Sequence, residues 1–418
     1  MKRIFLIFVC LFSFSSLCGQ ETNLKENALS AFRKGDYKNA IELLEQAKNN
    51  DPNDAEIFYY LGYFSHYLAY DSRPLIGYDE NHSDRVLQYL NKAIELNPQF
   101  GDAYYFIGAE YGARAIQALQ RDDEKKYISS YQTAYAKGAF PGWLIEYAKN
   151  TLKSCDENAI LFTGGDAEFN PIQFLRLVEN YRKDVTVIPI ALLNRPWYVR
   201  KLRNGFGNIL PKAPISFSNE QILDMHPYKW DTLTIEIPIS KEMKNELTLR
   251  QNAKMRWKLE PDLKSERRTY LSPDRAVLAN IIETNNWERP IYFSLGCNPL
   301  TLAGLAEYFQ LDGFVNKLLP IETKDTKHEI NPDKIEKILL VASNIKNLRD
   351  VEDHDMPRVS NILLNYYSVI FKLANYYSKQ NQTEKVEEIL DFLKRNMKIK
   401  ALQAEKTIEY IEDNLRKQ

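Results

Sequence analysis

Apolar side chains along residues 21–54 recur with the spacing of a helix face and define one unit of 34 residues. Small side chains let two antiparallel helices pack closely, and glycine permits the turn between them. The unit is therefore predicted to be a helical hairpin, which a proline ends. Its small, turn and packing residues stand in one frame: Ala28, Gly35, Tyr37, Ala40, Leu44, Ala47 and Pro52.

The same frame returns twice in the next part of the chain. A second unit begins at Ala55 and contains an insertion around residues 70–81, and a third opens with Gly108. The pattern is that of tetratricopeptide repeats, so we predict a stack of these helical repeats over residues 20–150.

The concave surface of such a stack commonly binds a peptide or a partner domain. Tyrosines are frequent on the helices that would line this surface, and Tyr59, Tyr63 and Tyr104 are candidate partner-binding residues. The alternative is that these tyrosines only pack the helices together. The repeats therefore predict a protein partner.

The pattern changes in the middle of the chain to strand, turn, helix and strand. Residues 158–163 and 185–193 are apolar, β-rich runs, and residues 171–181 have helical spacing. This order predicts a βαβ unit with parallel strands, which places the loop 164–170 at the carboxyl edge of the sheet. We predict an α/β domain with a mainly parallel sheet over residues 155–325.

Five short segments carry a resemblance to a known family. They are Ile160 to Asp166, Leu193 to Tyr198, Asp274-Arg275 followed by Ile281-Ile282, Arg289 to Phe293, and Tyr308 to Gly313. In this order they resemble the soluble carboxyl-terminal portion of large Bacteroidetes membrane proteins that are similar to protein O-mannosyltransferases and carry a domain of unknown function. The likeness covers roughly residues 155–395.

The resemblance implies a fold and a location in the cell envelope. Members of the family carry a multispanning membrane module ahead of this region, and glycosyl transfer is expected in that module. In this chain the repeats stand in its place, so the resemblance assigns no transferase role to any residue here.

Two loops at the predicted carboxyl edge carry candidate ligand-binding residues. Asp166 and Glu168 have the spacing of carboxylates that bind a hard cation. Arg195 beside aromatic rings could bind a carboxylate or stack on a sugar. The full candidate set is Gly164, Gly165, Asp166, Glu168, Arg195, Trp197 and Tyr198.

Both loops also have structural interpretations. Asp166 and Asn170 could cap a helix that begins near Pro171, because proline is favoured in the first helical turn. Trp197 could be buried, with Arg195 in a local salt bridge. The sequence leaves these alternatives open.

The remaining chemistry favours a binding protein over an enzyme. The five histidines are scattered, and the sequence offers no defensible Ser-His-acid or Cys-His set, zinc spacing or phosphate loop. We therefore predict no catalytic residues, no metal site and no cofactor, although an enzymatic activity stays open.

Composition narrows the class of partner. The 418 residues include 55 basic and 56 acidic side chains, a balance that argues against nucleic acid and anionic lipid. A hydrophobic content of 44% with 27% charged residues is typical of globular domains. Outside the first twenty residues the cysteines are Cys155 and Cys297, which could form a disulfide or be buried thiols.

Residues 1–19 have the layout of a signal peptide. Positive charge at Lys2 and Arg3 precedes an apolar run over residues 4–14, and a small, polar stretch ends at Gly19. The run is too short to span a bilayer. We predict cleavage and export to the periplasm without a transmembrane segment, and lipid attachment at Cys18 is the alternative.

The carboxyl-terminal region, residues 330–418, is predicted to be helical. Ala374, Tyr377, Val386 and Leu390 fit the repeat frame if Asn381 takes the turn position. This hairpin could extend a partner surface or pack against the α/β domain.

These observations predict an α+β multidomain protein with amino-terminal repeats, a central α/β domain and terminal helices. The leading hypothesis is a non-catalytic adaptor or scaffold of the cell envelope, associated with glycan or protein-glycosylation machinery. The alternative is a carbohydrate-binding or carbohydrate-active domain that uses loops 164–170 and 195–198.

Overall fold

The structure is a computed structural model that describes residues 24–70, 79–349, 351, 357–397, 409 and 411–415. The predicted signal peptide, with Cys18, and the centre of the predicted insertion lie outside these residues. No helix in the described part of the chain combines the length and the apolar composition that a membrane crossing requires.

The chain forms two compact units. The first, called the helical unit below, comprises the described residues of Met1–Gln117, Thr133–Phe140 and Asp353–Val359. The second, the α/β unit, comprises those of Ala118–Gln132, Pro141–Glu352 and Ser360–Gln418. The sequence-based boundaries at 1–19, 20–150, 155–325 and 330–418 stay predictions.

Consecutive helices at the amino end form repeat-like hairpins. Gly35, with φ of +80°, makes the turn between the first two helices, and Asp36 caps the second. A Cβ at Gly62 would lie 2.6 Å from the Leu90 side chain, so close approach of the next two helices requires glycine there. The helices are α1 (residues 24–33), α2 (Tyr37–Asn50), α3 (Ala55–Tyr70), α4 (Glu80–Leu96), α5 (Gly101–Gln120) and α6 (Glu124–Ala136).

The predicted helical character of this end is confirmed, and its identity as tetratricopeptide repeats stays a prediction. Ala28, Ala40, Leu44 and Ala47 are fully buried, as expected for the packing positions of the first hairpin.

The α/β unit contains all ten described strands. They are β1 (Ile160–Thr163), β2 (Thr186–Pro189), β3 (Tyr228–Lys229), β4 (Leu233–Pro238), β5 (Lys254–Leu259), β6 (Leu263–Ser265), β7 (Arg268–Leu271), β8 (Ile291–Ser294), β9 (Phe309–Leu311) and β10 (Val315–Leu318). Its helices are α7 (Gly142–Ser154), α8 (Asp166–Leu177), α9 (Pro196–Asn204), α10 (Asn219–Leu223), α11 (Lys241–Glu246), α12 (Pro273–Asn285), α13 (Pro332–Leu339), α14 (Leu364–Ser378) and α15 (Thr383–Asn396).

The main sheet has five strands in the order β2-β1-β8-β10-β9. β1 runs parallel to β2 and to β8, whereas β10 runs antiparallel to both β8 and β9. The predicted βαβ unit is present as β1-α8-β2. The prediction of a mainly parallel sheet is wrong, because β9 and β10 form a hairpin whose tight turn contains Gly313 with φ of +77°.

Two element boundaries differ from the sequence prediction. α8 begins at Asp166 with Gly165 as its N-cap, so Asp166 and Asn170 do not cap a helix starting near Pro171. Acidic residues in the first turn favour this earlier start, because they interact well with the helix dipole. The second strand ends at Pro189, which has no N–H for the ladder, and residues Ile190–Asn194 form a 3₁₀ helix.

Two smaller sheets cover residues 228–271. β3, β7 and β6 form an antiparallel sheet, and β4 pairs with β5. Along β4 and β5 buried and exposed residues alternate, with Ile235, Ile237 and Trp257 on the buried face.

Arg289 joins three separate segments of the α/β unit. Its guanidinium donates to the carbonyl oxygens of Asn158 at 2.7 Å, Lys212 at 3.0 Å and Ala159 at 3.1 Å. It also donates to the Thr186 hydroxyl at 2.6 Å. One of the segments that resemble the known family begins at this residue, so its role here is structural.

The terminal hairpin packs within the α/β unit. Asn381 makes the turn between α14 and α15 with φ of +57°, as the repeat frame predicts. Asn150 donates to the Tyr366 hydroxyl at 3.0 Å, and the Tyr377 hydroxyl donates to Glu336 at 2.8 Å. These contacts favour the packing alternative over an extended partner surface.

Candidate functional site

The two predicted loops lie at the same edge of the main sheet. Residues 164–170 follow β1, and Arg195 follows β2 and its 3₁₀ helix. Because β1, β2 and β8 are parallel, their carboxyl ends meet at this edge, where open α/β sheets commonly bind ligands.

The carboxylate of Glu168 is the centre of this edge. Glu168 is 3% exposed and accepts hydrogen bonds from the Tyr147 hydroxyl at 3.0 Å and the Ser294 hydroxyl. It also accepts from the backbone N–H of Gly296 at 3.0 Å and of Gly164 at 3.3 Å. Four donors therefore surround the side chain and hold it in the interior.

Burial raises the pKa of Glu168 above the usual range of a glutamate, although the hydrogen bonds from its donors oppose the shift. A buried carboxylate surrounded by fixed donors is part of the packing of the loop.

Asp166 and Glu168, whose spacing suits a pair of carboxylates around one ion, lie in different environments. Asp166 is exposed on the first turn of α8, whereas Glu168 is buried. In the described part of the chain no group of three or more His, Cys, Asp or Glu residues is placed to hold a metal ion.

The glycines of the loop have different surroundings. A Cβ at Gly164 would lie 2.5 Å from the Gly296 carbonyl oxygen, and a Cβ at Gly296 would lie 2.6 Å from the Glu168 carboxylate. Around Gly165 there is open space. Gly164 and Gly296 are therefore required by the close approach of the β1 and β8 loops, and Gly165 is not.

The second loop is more open. Arg195 is exposed, and Trp197 is half-buried with its ring 5.7 Å from that of Tyr198 in an edge-to-face contact. The buried aromatic side chain is Tyr198, at 1% exposure, and not Trp197 as the structural interpretation assumed. A ligand role for both loops stays a prediction.

Helix α8 carries a buried arginine whose burial the sequence does not predict. Arg176 is 1% exposed, and its Nη1 donates to Gln173 at 3.0 Å. Burial lowers the pKa of Arg176, and the nearby Tyr127 and Tyr198 oppose this shift. Among the described residues, Arg176 Nε and the Tyr198 hydroxyl have no hydrogen-bond partner.

A cluster of two lysines and two aspartates lies at the opposite edge of the sheet, before β1. Lys334 binds Asp156 at 2.9 Å and Asp312 at 2.6 Å, and Lys317 binds Asp156 at 2.9 Å. Burial alone would raise the pKa of Asp156, but hydrogen bonds from Tyr292 and the two lysines outweigh it and hold that pKa below its usual range. The pairing of two acids with two lysines indicates a structural role.

The helical unit brings a serine, a histidine and a glutamate together. His66 Nδ1 lies 2.6 Å from Glu110, and the Ser83 hydroxyl donates to the other oxygen of Glu110 at 2.6 Å. In a hydrolytic triad the histidine lies between the serine and the acid. Here the carboxylate lies between them, so the arrangement does not activate the serine.

Both thiols outside the predicted signal peptide are free and buried. The Cys155 thiol donates to the Thr151 carbonyl oxygen at 3.5 Å, and the Cys297 thiol donates to that of Phe162 at 3.6 Å. Burial raises the pKa of Cys297 to about 12 and also raises that of Cys155. Of the two sequence alternatives, the structure supports buried thiols.

A pocket of about 460 Å³ opens beside the two small sheets, a size typical of small-molecule sites. Trp230 donates its indole N–H to the Leu259 carbonyl oxygen at 3.0 Å, which fixes its ring in the wall. We call this the aromatic pocket. It is lined by Phe217, Gln221, Asp224, Tyr228, Lys229, Trp230, Leu233, Ile235, Leu259, Leu271, Ala276, Ala279, Asn280 and Glu283.

The sequence did not reveal the aromatic pocket, because its walls come from four strands and two helices that are separated along the chain. By contrast, the sequence does carry a signal for the Glu168 donors at the end of β8. Ser294 ends the buried strand β8 and Gly296 follows it, as Gly164 follows β1, and parallel neighbours end at the same edge.

The comparisons with known proteins concern this same region. Residues 144–226 and 211–336 match the family model described as TMEM260-associated domain 2. Over 97 residues the chain is 25% identical to the protein O-mannosyl-transferase TMEM260 of Mus musculus, a match that covers 20% of this chain and 14% of the mouse protein. The central region resembles this family.

The matched residues contain Glu168 with its four donors and every residue that lines the aromatic pocket. The comparisons therefore support the resemblance to a family related to O-mannosyltransferases over residues 144–336. The repeat identity and the Bacteroidetes source stay predictions.

Alanine at the two neighbouring glycines of the β1 loop should have opposite outcomes. Gly164→Ala should lower the free energy of unfolding by about 2 kcal/mol, because the added methyl group meets backbone atoms that cannot move away. Gly165→Ala should change it by less than about 0.5 kcal/mol, since the space is open. Urea unfolding of both variants measures the difference, and equal effects would show that the loops do not pack as described.

Glu168→Gln should change how stability depends on pH. Because the pKa of Glu168 is higher in the folded protein than its ordinary value of 4.5, its contribution is complete below pH 4.5 and is lost as pH rises through the folded pKa. The stability of Glu168→Gln relative to wild type should therefore increase with pH over this range. Unfolding titrations at several pH values test this, and a difference that is constant with pH would contradict it.

Proposed function

We propose that the protein is a non-catalytic adaptor that binds a protein partner through its helical unit and works beside protein-glycosylation machinery. We further propose that it is exported and acts in the cell envelope. The observation that carries the non-catalytic part is the burial of Glu168 among four donors. The carboxylate that the sequence analysis named as a candidate ligand group accepts its hydrogen bonds from the protein's own donors.

The helical unit supports the binding role. Its hairpins are repeat-like, and stacked hairpins of this kind offer extended surfaces to peptides and domains. Tyr104 is half-buried, and its hydroxyl donates to the Pro98 carbonyl oxygen at 3.2 Å, so its ring is held near the surface.

The link to glycosylation rests on the resemblance. The mouse relative is named a protein O-mannosyl-transferase, and the matched segment is 14% of its length. An associated domain on a chain with helical repeats is suited to bring a partner to such machinery.

A second candidate function is glycan binding at the aromatic pocket. Its walls combine the rings of Phe217, Tyr228 and Trp230 with polar groups at Asp224 and Asn280. Aromatic faces pack against the C–H faces of sugar rings, and carboxylates and amides accept hydrogen bonds from hydroxyl groups. This candidate moves the predicted carbohydrate site from loops 164–170 and 195–198 to a different part of the α/β unit.

A photo-crosslinking side chain in place of Tyr104 should capture a defined partner in the cells that make the protein. The matched control is the same side chain in place of Leu300, which is 76% exposed in the α/β unit. We expect a reproducible product from position 104 and none from position 300. Mass spectrometry should identify a glycosylation component or a glycosylated envelope protein. No product at position 104, or the same product at both positions, would rule out the adaptor role.

Sugar binding should depend on Trp230 if the aromatic pocket is the glycan site. Saturation-transfer NMR with methyl mannoside and a mannose disaccharide should show binding to the wild-type chain. Trp230→Ala should weaken it about fivefold, because an aromatic contact contributes about 1 kcal/mol. Trp230→Phe should retain most of it. Loss in Trp197→Ala instead would return the site to the 195–198 loop, and no binding to wild type would exclude glycan binding.

A further inference from the structure

A segment from the far end of the chain belongs to the helical unit. Residues 357–359 are grouped with the amino-terminal helices, more than two hundred positions away in sequence. Arg358 Nε donates to the Tyr59 hydroxyl at 2.7 Å, and its guanidinium lies 4.0 Å from the centre of the Tyr63 ring. The Phe106 ring lies 5.7 Å from the same group. The arginine is therefore held by three aromatic side chains.

An acidic residue completes the contact. The Arg358 backbone N–H donates to Asp102 Oδ1 at 2.9 Å, and Arg358 Nε lies 3.8 Å from Asp102 Oδ2. Asp102 thus contacts both the main chain and the charge of the bound residue. The main-chain contact distinguishes an arginine within a peptide from a free cation.

The four residues that contact Arg358 come from two helices, α3 and α5. Tyr59 and Tyr63 are four residues apart on α3, and Asp102 and Phe106 are four residues apart on α5. Side chains at this spacing share one face of a helix. These four side chains all belong to the helical unit. We call them the arginine cage.

The rings of the cage are buried, whereas the arginine that they hold is partly exposed. Tyr59 and Tyr63 are 3% and 7% exposed, so their rings are largely removed from water. The Arg358 side chain remains 38% exposed. A planar guanidinium can stack its face on an aromatic ring and at the same time donate hydrogen bonds from its edge. A lysine ammonium cannot do both.

We propose that the arginine cage is the site at which the helical unit binds an arginine within a peptide of its partner, and that Arg358 occupies it in cis. The inference rests on the proposed adaptor function and names the chemistry of the partner and its regulation. A tethered occupant competes at a high effective concentration. A partner peptide must therefore displace residues 357–359, and the protein masks its own binding site until a competitor arrives.

Fluorescence anisotropy on the full chain tests the proposal with a labelled peptide of residues 357–361, Pro-Arg-Val-Ser-Asn. Removing the internal competitor in Arg358→Ala should tighten peptide binding at least about tenfold relative to wild type. Peptides with lysine or alanine in place of arginine should bind more weakly to the same variant. Arg358→Lys should give an intermediate affinity for the arginine peptide, because lysine fills the cage less well.

The double variant Tyr63→Leu with Arg358→Ala is the control for the cage. Leucine keeps an apolar side chain but removes the ring face, so peptide affinity should fall back toward the wild-type value. Circular dichroism checks that the variants stay folded. If Tyr63→Leu with Arg358→Ala does not fold, Asp102→Asn with Arg358→Ala takes its place as the control.

Equal binding to wild type and Arg358→Ala would overturn occupancy in cis, and no binding to folded Arg358→Ala would overturn the site. Neither result depends on a cellular partner. The arginine cage can therefore fail while the crosslink at Tyr104 succeeds, and the adaptor role can fail while the peptide binds.

Discussion

A carboxylate inside a protein is stable only where donors replace the water that it has lost, and the carboxyl edge of the main sheet is organised by this constraint. The Glu168 side chain ties the end of β1, the end of β8 and helix α7 together through Gly164, Gly296 and Tyr147. The loops at this edge pack so closely that two positions admit only glycine. At this edge the Glu168 carboxylate is bound by the protein's own donors.

Arginine has a comparable role on a larger scale. Arg289 gathers carbonyl oxygens from segments that are distant along the chain, and Arg358 attaches a late segment to early helices. Guanidinium suits both tasks because it presents several donors in one plane and retains its charge when partly buried. The two residues differ in what surrounds them. Arg289 serves acceptors fixed by the fold, whereas Arg358 lies on a receptor that could accept the same group from elsewhere.

Features set by nearby residues could be predicted from the sequence, and those set by distant residues could not. Gly35 and Asn381 were recognised as turns because a positive φ has a local cost for most side chains. The antiparallel half of the sheet was missed, because the pairing of β8 with β10 depends on tertiary contacts. Likewise Gly164 and Glu168 stand out in the sequence as candidate ligand-binding residues, but their partner Ser294 lies 126 residues from Glu168. A ligand loop and a packed loop therefore look alike in sequence.

The state of the two buried thiols bears on what holds the α/β unit together. Cys155 and Cys297 are each buried and donate a hydrogen bond to a carbonyl oxygen, and burial raises the pKa of both thiols. The fold is complete without a covalent crosslink between them. The α/β unit is therefore held together by packing and hydrogen bonds, without a disulfide between these two residues.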